Sequence, residues 1–312
     1  MEELAQYYQI RGDIIKASIY KILCYLCVFS LAIFMVSGLS TSVAAAEVHA
    51  SNIAFSEYEY ITTIRTMSKE KLANSKLTSE EIALIKSDVI EKELLDRKAK
   101  SDAQLMACYG YDQNEIAILR SYTGGRLENH PELAAITGTL TIARPTVLTA
   151  TSSRIGVRVN WSWDHRPVIC ANDVFAVYWS PTFGSSNGNM RINISDSSYT
   201  LTFNVYDVGY DISGSFTQVS PNSAAKAQFS MIDQSGDGWA ECGSATLYFD
   251  ATSGSAALTE MDFIFAYGHT VISVSPSVSF PASGGISFGV NTSEADRRSG
   301  YITVSSKTWS DN

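Results

Sequence analysis

Hydrophobic residues fall into three rhythms along this chain. An apolar run from Ile22 to Val36 comes first, helical spacing follows across 47–125, and alternation dominates from Thr137 onward. In the middle stretch Ile82, Ile85, Val89 and Leu94 recur every three to five positions, the signature of a helix with one buried face. Thr78-Ser79-Glu80-Glu81 opens that helix as a capping box, with hydroxyl and carboxylate each meeting an orphan backbone N–H. Ser101 with Gln104, and Asp112 with Glu115, repeat the start signal; Gly110 is placed to end the first of these two helices, and Gly124-Gly125 stops the series. The two short helices around Tyr109-Gly110-Tyr111 predict an αα-hairpin, since a DNA-reading helix pair needs a basic face and this one is acidic.

Beyond Thr137 the period is two. Val157, Val159, Trp161 and Trp163 alternate with Arg158, Asn160 and Ser162, which predicts a half-buried strand. Comparable runs lie at 139–143, 174–180, 191–194, 199–207, 212–219, 226–232, 245–249, 260–267, 270–274, 286–290 and 301–304. Gly, Asn, Ser and Pro clusters separate them and no helical pattern intervenes. Many short strands so spaced predict an antiparallel β-sandwich, preceded by the helical segment. The expected division is 1–46, 47–125 and 126–312, with the β domain able to keep its structure from about Arg126.

The first 46 residues set the compartment. Arg11, Lys16 and Lys21 precede the apolar run, and Ala44-Ala45-Ala46 follows it, an order that predicts a secretory signal peptide removed before Glu47. An uncleaved anchor is the alternative, because 22–43 is long enough to span a bilayer. Either reading places the rest of the chain outside the cell, secreted or at the cell surface.

Composition narrows the function classes. The net charge is −9 and the basic residues are scattered, which excludes nucleic acid as a natural partner. Hydrophobic residues make up 45 % of the chain, enough for a large core. Cys24 and Cys27 lie inside the apolar run; of Cys108, Cys170 and Cys242, buried free thiols are expected, with Cys170–Cys242 the pair to consider.

Candidate chemistry is sparse. Asp233-Gln-Ser235-Gly-Asp237-Gly-Trp239-Ala-Glu241 is similar to the first part of an EF-hand calcium loop. Asp233, Ser235 and Asp237 would offer side-chain oxygens, Trp239 its carbonyl and Glu241 a contact through water. Ser244 stands where the loop expects a bidentate Glu, and strands flank the segment, so a polar turn between strands is the competing reading. Trp161, Trp163, Trp179 and Trp239 offer either a sugar platform or a core, and shared faces favour the core. His49, His130, His165 and His269 stand in no triad context, and there is no G-x-S-x-G. Glu260 and Asp262 alternate on one strand, where a solvated outer face accounts for them as well as a glycosidase pair does.

The pairing of Leu77-Thr-Ser-Glu-Glu-Ile and Gly110-Tyr-Asp-Gln-Asn-Glu-Ile with a β domain holding Trp161-Ser-Trp, Phe265-Ala-Tyr-Gly-His and Val274-Ser-Pro-Ser-Val-Ser-Phe resembles a group of exported proteins of Gram-positive bacteria. The resemblance implies export and a Ser/Thr-rich β domain, and brings no activity with it. The sequence is thus read as a non-enzymatic binding or surface-interaction protein with an unknown extracellular ligand. A secreted polysaccharide hydrolase and a β-rich pore-former are the alternatives. The pore-former would need a detachable amphipathic hairpin, for which 199–219 is the candidate.

Overall fold

The structure, a computed structural model, describes residues 54–75, 77, 79–185, 187–205, 208–234, 236, 238–270, 276, 278–281, 283–288 and 293–311, with backbone alone at 80, 81 and 293–296. The export segment and Thr78 therefore lie outside the described residues.

The strand β1 (Phe55–Ser56) leads directly into helix α1 (Glu57–Thr66), followed by α2 (Lys69–Ala73), α3 (Ser79–Lys86), α4 (Val89–Lys98), α5 (Asp102–Tyr109) and α6 (Gln113–Ser121). Both later start signals form in full: Ser101 with Gln104 and Asp112 with Glu115 each close a reciprocal capping box. Gly110 ends α5 with φ +79°, a left-handed conformation that costs glycine little. Two 3₁₀ turns, Leu127–Asn129 and Pro131–Ile136, complete this unit. Its core joins Ile61, Ile64, Ile85, Ile90, Leu94, Leu105, Ile116 and Leu119 to Leu127, Leu133 and Ile136, so helical packing continues ten residues past Arg126. Inside it Arg65 donates to Glu91, Glu128 and the Ile85 and Ser87 carbonyls, tying α1 to the α3–α4 corner.

The remaining strands are β2 (Thr139–Ile142), β3 (Thr146–Ala150), β4 (Arg154–Trp163), β5 (Asn172–Phe183), β6 (Met190–Ile192), β7 (Ser198–Val205), β8 (Val208–Gly214) and β9 (Thr217–Ser220). They continue as β10 (Ala224–Ser230), β11 (Trp239–Ala251), β12 (Leu258–His269), β13 (Val278–Ser279), β14 (Ser287–Phe288), β15 (Ser293–Thr303) and β16 (Thr308–Asp311). One sheet runs β1-β2-β4-β11-β7-β8, with β3 also on β4 and β6 also on β11; the other runs β16-β15-β12-β5-β10-β9. Their pairings are antiparallel, and alternate residues of both meet in one core, which makes this the expected sandwich.

Trp161, Trp163, Trp179 and Trp239 all lie in that core, none more than 3 % exposed. Their place is packing, the reading their shared faces favoured. The run 212–219 read as one strand is two: β8 closes the first sheet, the chain crosses at Ser215-Phe216, and β9 joins the second. Phe216 is buried at the crossing, edge-on to Tyr199, so its apolar character reflects a plug between sheets and not strand alternation. Cys108, Cys170 and Cys242 are free thiols.

Candidate functional site

Two places concentrate chemistry that apolar packing alone does not require. The first is a buried polar seam where the helical unit meets the sandwich. Glu57, at the start of α1, accepts the backbone N–H groups of Val168 and Ile169 at 2.7 and 2.8 Å. Arg97, at the end of α4 and 1 % exposed, donates to the carbonyls of Arg166 and Pro167 at 3.0 and 2.7 Å, to the Tyr111 hydroxyl at 2.8 Å and to Glu93 at 3.0 Å. The Tyr109 ring lies beneath the same guanidinium, 4.6 Å away. Tyr111 passes the bond on to the Ile136 carbonyl. The β4–β5 connection, 164–171, is thus held by a carboxylate on its amides and a guanidinium on its carbonyls.

Deeper in the seam, Asp173 on β5 accepts from the Tyr267 hydroxyl at 2.5 Å and the Thr270 N–H at 3.0 Å, while His269 Nδ1 stands 3.1 Å from both its oxygens. His269 is wholly buried between the rings of Trp163 and Phe55. Burial would lower its pKa, but the charges of Asp173 and Glu57 raise it above the ordinary histidine value. Burial pushes the Glu57 carboxyl up, against the pull of His269, its two amide donors and Arg97. Tyr267 is held well above the usual phenol range, so it serves as a hydrogen-bond donor. The Asp–His–Tyr constellation has a triad's outline, but its ring is wholly buried and its hydrogen bonds tie β5 to the end of β12 within the sandwich.

His165 plays a smaller version of that role. Its Nε2 lies 3.0 Å from Glu115 on α6 and its Nδ1 3.2 Å from Asp164. His130 lies 3.0 Å from Glu132 at the exposed turn between the 3₁₀ segments. His49 lies outside the described residues.

Two clefts among the described residues bear on the hydrolase reading. One of about 340 Å³ lies between α3–α4 and the 168–170 turn, lined by Leu84, Val89, Ile90, Val168, Ile169 and Cys170 with Lys92, Glu93 and Asp96. Its two carboxylates share one side of one helix, and Glu93 already pairs with Arg97. The Cys170 thiol is pushed up to about 12 by burial, which keeps it unreactive at neutral pH. The other cleft, about 360 Å³ beside Thr63, Thr66, Met67, Ser68 and Lys71, holds no carboxylate. Glu260 and Asp262 lie two apart on β12, and Glu260 accepts from the Thr303 hydroxyl of β15 at 3.4 Å, on a sheet face and not across a cleft.

The 233–241 loop is partly visible. Asp233 Oδ1 accepts the N–H groups of Gly236 and Gly238 at 2.9 and 3.0 Å, and Oδ2 accepts the Tyr210 hydroxyl at 2.9 Å. Trp239 opens β11 with its ring in the core, and Glu241 accepts from Asn204 at 3.2 Å. Ser235 and Asp237 lie outside the described residues, and no group of three metal-ligating side chains occurs among those described. Millimolar calcium that leaves the unfolding temperature unchanged would establish a plain polar turn between strands. A rise that Asp237→Ala removes, followed by scanning calorimetry, would establish the cation site instead.

The second place is the free end of the first sheet. Opposite residues of an antiparallel pair share a face, and β8 pairs Ile212 with Leu201 and Tyr210 with Phe203, both buried core residues. Val208, Tyr210 and Ile212 therefore continue the inner, apolar face of the sandwich. They remain 45, 39 and 42 % exposed, since the second sheet ends on the four-residue β9 and does not cover them. Tyr210 lies stacked on Phe203 at 5.5 Å and Gly209, Asp211 and Ser213 take the other face. Sequence alternation made 199–219 a hairpin candidate; that core face gives out under its second strand, which no sequence pattern carries.

No family model matches this chain. No curated protein matches it either. Among solved structures, it resembles AvmM, described as catalysing macrocyclization in alchivemycin A biosynthesis, at 10 % identity and a TM-score of 0.26, over 53 % of this chain and 88 % of that one. It also resembles a structure of manganese lipoxygenase of Gaeumannomyces graminis with part of zonadhesin of Komagataella pastoris (11 %, 0.25, over 50 and 47 %). A pore-forming protein follows at 8 % and 0.24, over 56 and 83 %. Likenesses this faint carry no functional argument.

Proposed function

We propose that this chain is an exported, non-enzymatic interaction protein whose working surface is the open β8 edge of its sandwich. The observation that carries the reading is the strip Val208, Tyr210 and Ile212, core-type side chains left exposed beside a sheet edge that has no neighbouring strand among the described residues. Unpaired edges invite strand addition, and natural sandwiches blunt them with Lys, Pro or brevity. β1, β9 and β16 span two, four and four residues, whereas β8 spans seven and carries neither Lys nor Pro. Supporting a binding role over hydrolysis, Glu57, Glu91 and Asp173 are buried in structural bonds, and Glu260 and Asp262 share one strand.

The test is retention of the labelled protein, residues 47–312, on intact Gram-positive cells, read by flow cytometry. Changing Val208, Tyr210 and Ile212 together to Ser is expected to reduce retention roughly tenfold or more, since a few central apolar anchors dominate an interface. Undiminished retention by a correctly folded triple variant would remove this edge as the working surface.

A further inference from the structure

Resting on that reading, we propose that the partner the β8 edge fits is a second copy of itself, joined strand to strand about a two-fold axis through Tyr210. In an antiparallel pair, opposite residues share a face, so two copies of β8 can meet only in registers that set apolar positions against apolar positions. Centring the axis on Tyr210 sets Val208 against Ile212 of the other copy and Ile212 against its Val208, with the two tyrosines opposed. This register brings all six exposed apolar side chains together. Centring on Ile212 sets Tyr210 against Gly214 and leaves Val208 outside the strand pair; centring on Asp211 opposes two carboxylates.

Charge selects the same register. Asp211 is the strand's one ionised side chain, and the Tyr210-centred pair places it against Gly209, which has no side chain to oppose it. The Val-Gly-Tyr-Asp-Ile pattern is thus self-complementary in both apolarity and charge, the condition for an isologous contact. The two sheets would join into one, continuing the apolar inner face across the axis.

Size and net charge set the strength. A seven-residue strand pair covers less than the roughly 1,200 Å² that stable interfaces bury, so association is weak and concentration-dependent. Two chains of formal charge −9 repel each other, so added salt strengthens the dimer by screening.

Sedimentation velocity of the protein, residues 47–312, from micromolar to millimolar concentration tests the pairing. The expected result is a shift from monomer toward doubled mass with concentration, sharpened by salt. Tyr210→Lys and Tyr210→Glu should each remain monomeric alone, because each opposes like charges at the axis, and an equimolar mixture should regain the doubled mass. Val208→Lys mixed with Ile212→Glu provides a second pair that leaves the Tyr210–Asp233 bond intact, and the mixture should again associate more than either alone. A wild type that stays monomeric throughout, a Tyr210→Lys protein that dimerises like the wild type, or mixtures no more associated than their components would overturn the proposal. A monomeric wild type whose Tyr210→Lys variant still loses cell retention would remove self-pairing while leaving the edge as a working surface; unchanged retention as well would remove both.

Discussion

Asp173→Ala is expected to remove about 3–5 kcal/mol of stability, a large fraction of the 5–15 kcal/mol typical of a folded domain. The carboxylate is fully buried and receives Tyr267, Thr270 and the His269 ring at once. Truncation leaves three buried groups without their acceptor, one of them an imidazole whose charge Asp173 supports. Asp173→Asn keeps the shape and should lose less, since its amide oxygen still accepts one bond. Urea denaturation followed by tryptophan fluorescence measures both, and a loss below about 1 kcal/mol for the Ala variant would contradict the argument.

The pH dependence checks the same cluster independently. His269 and Glu57 both have folded-state pKa values raised above their ordinary 6.5 and 4.5. A raised value means the folded state binds the proton more tightly, so the stability each group adds is complete below its unfolded pKa and disappears as pH rises through the folded one. For His269 that window opens at 6.5 and extends upward. The wild-type midpoint should therefore fall on going from mildly acidic to alkaline solution, and Asp173→Asn should flatten the slope.

What the sequence disclosed and what it withheld divide along physical lines. Periodicity reports which face of a segment is buried, so Val157, Val159, Trp161 and Trp163 mark β4 and the two later capping boxes mark α5 and α6. Periodicity does not report partners. Glu57 meets Val168 across 111 positions and His269 meets Asp173 across 96, separations over which no local pattern runs. The seam was illegible for that reason, and His269, which stands in no triad context along the chain, is wholly buried there. Thr146–Ala150 escaped notice because only Ala150 of its five residues is buried, which leaves little alternation to read. Strand β1, two residues long, carries no period at all, yet it brings the helical unit into the first sheet. The exposed strip on β8 shows the converse: its alternation was plain, but whether anything covers an apolar face depends on where the opposite sheet stops.

Arg97→Ala should cost a similar 3–5 kcal/mol, but its effect should be local to the seam first. The guanidinium is the one group that reaches the Arg166 and Pro167 carbonyls, the Tyr111 hydroxyl and Glu93 together, and it does so out of water. Its charge is raised in stability by Tyr111 and Glu93 against the cost of burial. Removing it takes the charged donor from the Arg166 and Pro167 carbonyls, leaving Pro167 only the weak Cys170 thiol, and loosens the grip of α4 on the β4–β5 connection, while the sandwich core, built from other residues, keeps its packing. Amide exchange should therefore accelerate across α4 to α6 and residues 164–171 well before β5, β11 or β12 respond, because regions open at their own local free energies. Arg97→Lys should rescue little, since one ammonium cannot span a planar fork with three directions to satisfy. If exchange in the sandwich strands rises as steeply as in the helices, the two units unfold as one and Arg97 is a member of a single core; if neither rises, the seam does not depend on this residue.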